Sequence, residues 1–234
     1  MTQIHNVGEK FTNSYLLPCG EDYCLVDTGY KGHFDKFCEK LKEANVPMEK
    51  IKYVVLTHAH SFHAGYLKKL LSVTSATLIY DVRDKLRLEA GKNNLSTYVS
   101  GFFFLIIGKI AASSLLVDAT QCFPAVRYDR YEDAKTQPLA EFGIEFLSLS
   151  GHTEYDVCVK YEDKLFCGDL CASGLLSARH APMWIYNKYD LLRSWQALLD
   201  TDATTIYPGC GKPFEKAKLA DDMRYWRSRG VFKL

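Results

Sequence analysis

The sequence predicts an α+β fold made of two αβ halves with an apolar helical insertion between them. Three observations carry this reading. Short apolar strands alternate with amphipathic helices on both sides of the chain's midpoint. Direct hairpins, such as the one around Glu162-Asp163, stand beside helical crossovers, so a simple parallel sheet does not fit. Strand after strand also ends in a polar loop with a glycine in or beside it, which places the chemistry at one edge of the sheets.

The elements follow in order. Phe11–Leu17 and Asp22–Asp27 read as strands, the second ending LVD before Gly29. Residues 33–45 place Phe34, Phe37, Cys38, Leu41 and Ala44 at helical spacing, and Pro47 ends that helix. Tyr53–Leu56 is a short buried strand that runs into the polar cluster THAHSFH. A helix follows over 64–71, then a strand over 76–80 and a charged helix over 81–90. In the second half Ile144–Leu149 is a strand, and Asp156–Tyr161 and Lys164–Cys167 form the hairpin. A helix covers 189–199, Thr204–Tyr207 is a strand, and 214–229 is a closing helix. The 234 residues are expected to form one domain over 1–234, with a lid or dimer-contact insertion at about 91–122.

Composition narrows the function. With 47% hydrophobic residues and only 7 prolines and 15 glycines, the chain can fill a core and is not disordered. Its 29 Lys+Arg against 28 Asp+Glu give a net charge of +1, which argues against nucleic acid as a partner. No charged and apolar leader opens the sequence, and several of the eight cysteines sit inside strands, as in DVCVKY and KLFCGD. Reduced thiols in a cytoplasmic protein are expected. Val99–Val117 carries only Lys109 as a charge, but Lys109 falls near its middle and Gly101, Gly108 and Ser113-Ser114 cut it. No stable membrane span is expected there; the segment reads as core, as a homodimer contact or as the lining of an acyl pocket.

Three of the seven histidines fall within six residues, His58, His60 and His63. An H-x-H pair at a strand end puts two imidazoles within reach of one ion, and neutral imidazole suits zinc, iron or similar metals. Later strands deliver GHT (151–153), CGD (167–169) and YPGCG (207–211), so His152, Asp169 and Cys210 join the candidate ligands. Asp27, at the end of LVD, repeats the pattern. Tyr155 and His180 lie near these loops and are candidates for substrate contact, as is Phe62 within the histidine cluster.

LVDTG (25–29), THAHSFH, GHT, CGD and YPGCG occur in one order over most of the chain, and in this the sequence resembles the metallo-β-lactamase superfamily. The resemblance implies a four-layer αββα sandwich with a metal site at one sheet edge. It implies a first metal site on His58, His60 and His152, Asp169 as the catalytic carboxylate bridging two metals, and Asp27 bracing the histidine loop. It also implies a metal that lowers the pKa of bound water to around 7 for hydrolysis. Zinc is the expected metal, as one or two ions, with iron or manganese as alternatives.

Two positions depart from that pattern. The family usually has H-x-H-x-D-H, and Phe62 stands where the aspartate belongs; Cys210 stands where the last histidine belongs. The second metal site is left with His63, Asp169 and Cys210. The expected activity is therefore metal-dependent hydrolysis of a small ester, lactone, thioester or related molecule. The alternative is a non-catalytic metal-binding or ligand-sensing protein with a decayed second site. A diiron redox role fits less well, because it requires an acidic residue where His60 stands.

Overall fold

The computed structural model describes residues 3–9, 11–93, 98–99, 122–174 and 177–230. Its first half opens with β1 (His5–Asn6), β2 (Tyr15–Cys19) and β3 (Asp22–Val26), joined antiparallel. Helix α1 (Phe34–Glu43) leads to β4 (Ile51–Val55), and α2 (Ser61–Ala64) and α3 (Leu67–Val73) lead to β5 (Thr77–Tyr80). After α4 (Lys85–Ala90) comes the two-residue strand β6 (Tyr98–Val99), and β7 (Tyr131–Asp133) closes the first sheet. That sheet runs β1-β2-β3-β4-β5-β7, parallel from β3 onward.

The second half contains β8 (Ile144–Leu149), β9 (Asp156–Tyr161), β10 (Lys164–Phe166), β11 (Ala172–Ser173) and β12 (Trp184–Ile185). Helix α5 (Lys188–Leu199) is followed by β13 (Thr205–Tyr207), β14 (Cys210–Gly211), β15 (Phe214–Glu215) and α6 (Lys216–Ser228). Its main sheet runs β15-β13-β10-β9-β8, while β11 pairs with β14 and β12 with β6.

The layers follow from strand alternation. Successive side chains of a strand point to opposite faces. Tyr15, Leu17, Cys24, Val26, Val55 and Ile79 face Ile144, Phe146, Val157, Val159 and Phe166 of the other sheet in one buried cluster. Their neighbours Leu16, Leu25, Val54 and Leu78 face Phe37, Leu41, Leu67 and Leu70 of the helices outside the first sheet. Cys158, Leu165 and Ile206 likewise face Trp195, Leu198, Leu219 and Trp226 of α5 and α6. Helix, sheet, sheet and helix are thus stacked, and the thiols of Cys158, Cys167 and Cys171 pack in the core as small hydrophobes.

Several boundaries differ from the sequence reading. The strand expected over Phe11–Leu17 starts at Tyr15, because the Asn13 side chain is turned to the carbonyls of Pro208 and Gly211, 2.9 and 2.8 Å away. The helix expected over 64–71 is two helices, broken where Gly65 lies against the Lys31 backbone; a Cβ there would come within 2.3 Å of the Lys31 nitrogen. The charged helix over 81–90 begins as a 3₁₀ turn at Val82–Asp84. The closing helix starts at Lys216, since Phe214 and Glu215 pair with β13 instead. Most of the expected 91–122 insertion lies outside the described residues. Among the described residues no helix is long and apolar enough to cross a membrane.

Candidate metal centre

The site forms where strands of both sheets end. β4 runs into Thr57-His58, α2 begins just after His60, and His63 lies within α2. The loop between β8 and β9 carries His152, and the turn after β10 carries Asp169. These side chains are buried except Asp169, which is half-buried.

The histidine rings are oriented by their outward nitrogens. Asp27 sits at φ 60, a left-handed conformation that aspartate tolerates better than most residues. It accepts from the Thr57 backbone N–H at 2.8 Å and from the Thr57 hydroxyl at 2.7 Å. With its proton given to Asp27, the hydroxyl oxygen receives His58 Nδ1 at 3.0 Å. His58 Nε2 is thereby turned inward, buried and without a hydrogen-bond partner. His152 Nδ1 donates to the Trp184 carbonyl at 2.9 Å, which turns its Nε2 inward to lie 3.2 Å from His60 Nδ1. The tautomers set at His58 and His152 turn their Nε2 atoms inward toward His60, and the three residues form a group whose ligand atoms lie within 4.8 Å of one another.

A second group of the same kind comprises His58, His63 and Asp169. His63 Nδ1 is 2.8 Å from Asp27 Oδ2, and its Nε2 is 3.4 Å from Asp169 Oδ2. Burial alone would push His63 down, but the carboxylates of Asp27 and Asp169 outweigh it and lift the imidazole to about 10. Burial would likewise raise Asp169, and His63 beside it holds that carboxyl well below its ordinary range instead. Burial pushes His58 well below its usual value, helped by the neighbouring imidazoles, so it stays neutral and able to ligate.

The first group fits a divalent ion in donor chemistry as it stands. In the second, His63 would have to give up the proton that Asp27 and Asp169 hold on it before it could ligate. His58 Nε2 and Asp169 Oδ1 are buried polar atoms with no partner, a costly arrangement that a bound cation would relieve. Gly209 lets the backbone pass close beneath, since a Cβ there would meet Asp169 Oδ1 at 2.6 Å and His63 Cε1 at 2.7 Å. Cys210 belongs to neither ligand group. It lines a cavity beside the site with His63, Asp169 and Phe62, and burial pushes its thiol up to about 12.

The structure places the other two candidate contacts elsewhere. The Tyr155 hydroxyl bonds to Glu154 at 3.0 Å, and its ring lies under Arg83 and Arg87. His180 bonds through Nδ1 to Asp222 of α6 at 2.5 Å and stacks on Phe214, with ring centroids 3.7 Å apart. Neither residue lines the cavity. Sequence reasoning passed over Thr57 and Asp156, although Thr57 opens the THAHSFH motif. Asp156 receives the His152 N–H at 3.1 Å and the Thr153 hydroxyl at 2.6 Å, holding the loop that carries His152. The spacing from Thr153 to Asp156 within GHTEYD is the turn signal that marks it.

Two stacked sheets flanked by helices, with a histidine cluster in their edge loops, define a hydrolase-type fold able to bind metal. The chain belongs to the metallo-beta-lactamase superfamily, whose family model matches residues 7–209. It is 25% identical over 240 residues to a Caenorhabditis elegans protein named Beta-lactamase-like protein 2 homolog, a match covering 98% of this chain and 68% of that one. A shorter match, 33% over 60 residues, joins it to coenzyme F420H(2) oxidase of Methanothermobacter marburgensis, covering 25% of this chain and 15% of the other. Among solved structures, a Cronobacter sakazakii metallo-beta-lactamase with a mutated HARLDQ motif superposes with a TM-score of 0.68 at 19% identity, covering 97% of this chain and 92% of that one. A metallo-beta-lactamase family protein of Thermus thermophilus gives the same TM-score of 0.68 and 19% identity, with 97% and 79% covered.

Proposed function

We propose that the chain is a metal-dependent hydrolase that holds one zinc ion on His58, His60 and His152 and cleaves a small ester, lactone or thioester. The observation that carries this reading is the trio of converging nitrogens, with His58 Nε2 buried and unpartnered. A zinc ion bound there supplies Lewis acidity and activates water at neutral pH. The chain's own residues do the rest. Thr57 and the Trp184 carbonyl fix the imidazole tautomers. Asp169, kept ionised by His63, turns Oδ2 toward the cluster, 3.4 Å from His63 Nε2 and 3.8 Å from His152 Nε2, where it would orient an attacking water. His63 lies between Asp27 and Asp169, 2.8 Å from Asp27 Oδ2 and 3.4 Å from Asp169 Oδ2, and so ties the two carboxylates together.

The test combines metal content with activity. Protein prepared without chelators or a histidine tag is expected to carry about one zinc per chain, the count for one tetrahedral catalytic site. His58→Ala and His152→Ala should lose both the zinc and the hydrolysis of simple esters. Full activity in either variant would sink the proposal. One zinc with no turnover of any ester, lactone or thioester would favour the non-catalytic, ligand-sensing alternative, to which Phe62 and Cys210 point.

A further inference from the structure

The cavity beside the metal centre has one polar side and one aromatic side. Asp169, His63 and Cys210 line it toward the metal centre. Phe62 faces Tyr30 with ring centroids 4.9 Å apart at 57°, and Trp184 at 6.5 Å and 35°. Pro182 and Met183 extend the same wall, and Phe11 borders the cavity with nearly half its surface in solvent. No lysine or arginine occurs among the described lining residues. Trp184 is held in place because its carbonyl receives His152 Nδ1, which ties the aromatic wall to the metal-site geometry.

We propose that this cavity is a ring-binding subsite that takes an uncharged aromatic substituent of the substrate, with Phe62 as the specificity-determining residue. The proposal rests on the hydrolase reading for the position of the reacting group, beside Asp169. A substrate that meets both sides carries a polar carbonyl at one end and an apolar group at the other. Aromatic rings pack against one another edge-on or offset at centroid distances of about 4.5–7 Å, the range already spanned by the wall. Methionine sulfur at a ring edge adds a further favourable contact for an aromatic group over an alkyl one. Phe62 sits between the His60 and His63 positions on α2, so its ring is fixed relative to the reacting centre rather than carried on a free loop.

The test measures binding separately from turnover. Zinc-loaded protein is titrated calorimetrically with phenylacetamide, cyclohexylacetamide and acetamide, which share one polar end. Phenylacetamide should bind about ten- to a hundredfold more tightly than acetamide, the value of burying a ring. Cyclohexylacetamide should fall between them. Phe62→Leu, which keeps apolar volume, should weaken phenylacetamide about two- to tenfold and leave cyclohexylacetamide unchanged. Tyr30→Leu reads the same wall should the Phe62 variant fail to fold. Equal affinities for all three amides, or no response in either variant, would overturn the subsite. Hydrolysis of methyl phenylacetate against methyl acetate separates the two claims. Ring-selective binding without hydrolysis of these esters, or of the lactones and thioesters tried above, supports the subsite and counts against the hydrolase; equal binding with equal turnover of both esters does the reverse.

Discussion

At the scale of single residues, Thr57 has a larger part than its size suggests. Its hydroxyl donates to Asp27 and receives His58 Nδ1, so one oxygen sets which nitrogen of His58 faces the cluster. Thr57→Val keeps the shape and removes that oxygen, leaving His58 Nδ1 with no partner from this residue. Outer partners of metal-binding histidines are typically worth ten- to a hundredfold in metal affinity. Zinc affinity of the variant, measured by competition with a chromogenic chelator, should drop by about that factor. An unchanged affinity would mean that His58 is oriented by packing alone. The same variant should lose about 1–3 kcal/mol of stability from the unpaired buried groups. Thr57 also explains Gly168, since a Cβ at that position would meet its hydroxyl at 2.4 Å. The loop that carries Asp169 can therefore approach the histidine loop only with glycine there.

At the scale of elements, the loop after β8 is locked to the start of α5. The Gly151 carbonyl accepts from the backbone N–H groups of Tyr186 and Asn187, and Asn187 caps α5 by accepting from Tyr189 and Asp190. Gly151 has φ 131, and a Cβ there would meet the Leu191 backbone at 2.4 Å. Gly151→Ala should therefore cost at least about 2 kcal/mol of unfolding free energy and shift His152, with zinc lost in parallel. Thermal unfolding with metal analysis on the same preparation checks both; a variant as stable as the parent would show that the loop and α5 move apart freely. This level also shows what the sequence could reveal. The strands were legible as short continuous apolar runs, as in Tyr15-Leu16-Leu17, because both of their faces are buried. The histidines and Asp169 were legible because strand ends in one order concentrate at one edge. The break at Gly65 and the short strand at Phe214 were hidden, since both depend on distant partners, Lys31 and Thr205–Ile206. The cavity wall at Pro182–Trp184 was hidden for the same reason, because its place is set by His152 from another loop.

At the scale of the whole molecule, Asp84 and Arg87 join the two halves near the metal centre. Asp84, 4% exposed, accepts from the Ala59 backbone N–H between the two histidines of H-x-H. Arg87 bonds to Asp84 at 2.6 Å and also to Glu154, two residues beyond His152. Burial pushes Asp84 up to about 6, outweighing the pull of the Arg87 guanidinium. Its ordinary value is near 3.8, so between about pH 4 and 6 the folded chain holds a proton that the unfolded chain has released. Stability contributed at this position must then fall as pH rises through that window, by roughly 3 kcal/mol at most. Asp84→Asn has no such proton. Urea unfolding of chelator-treated parent and variant, from pH 4 to 7, should show the parent losing stability relative to the variant up to about pH 6 and no further change above it. A flat difference would mean that pairing with Arg87 cancels the cost of burial, and one that grows in the parent's favour with pH would mean that pairing outweighs it. The bridge between the halves would then be a stabilising ion pair at neutral pH rather than a strained, buried charge.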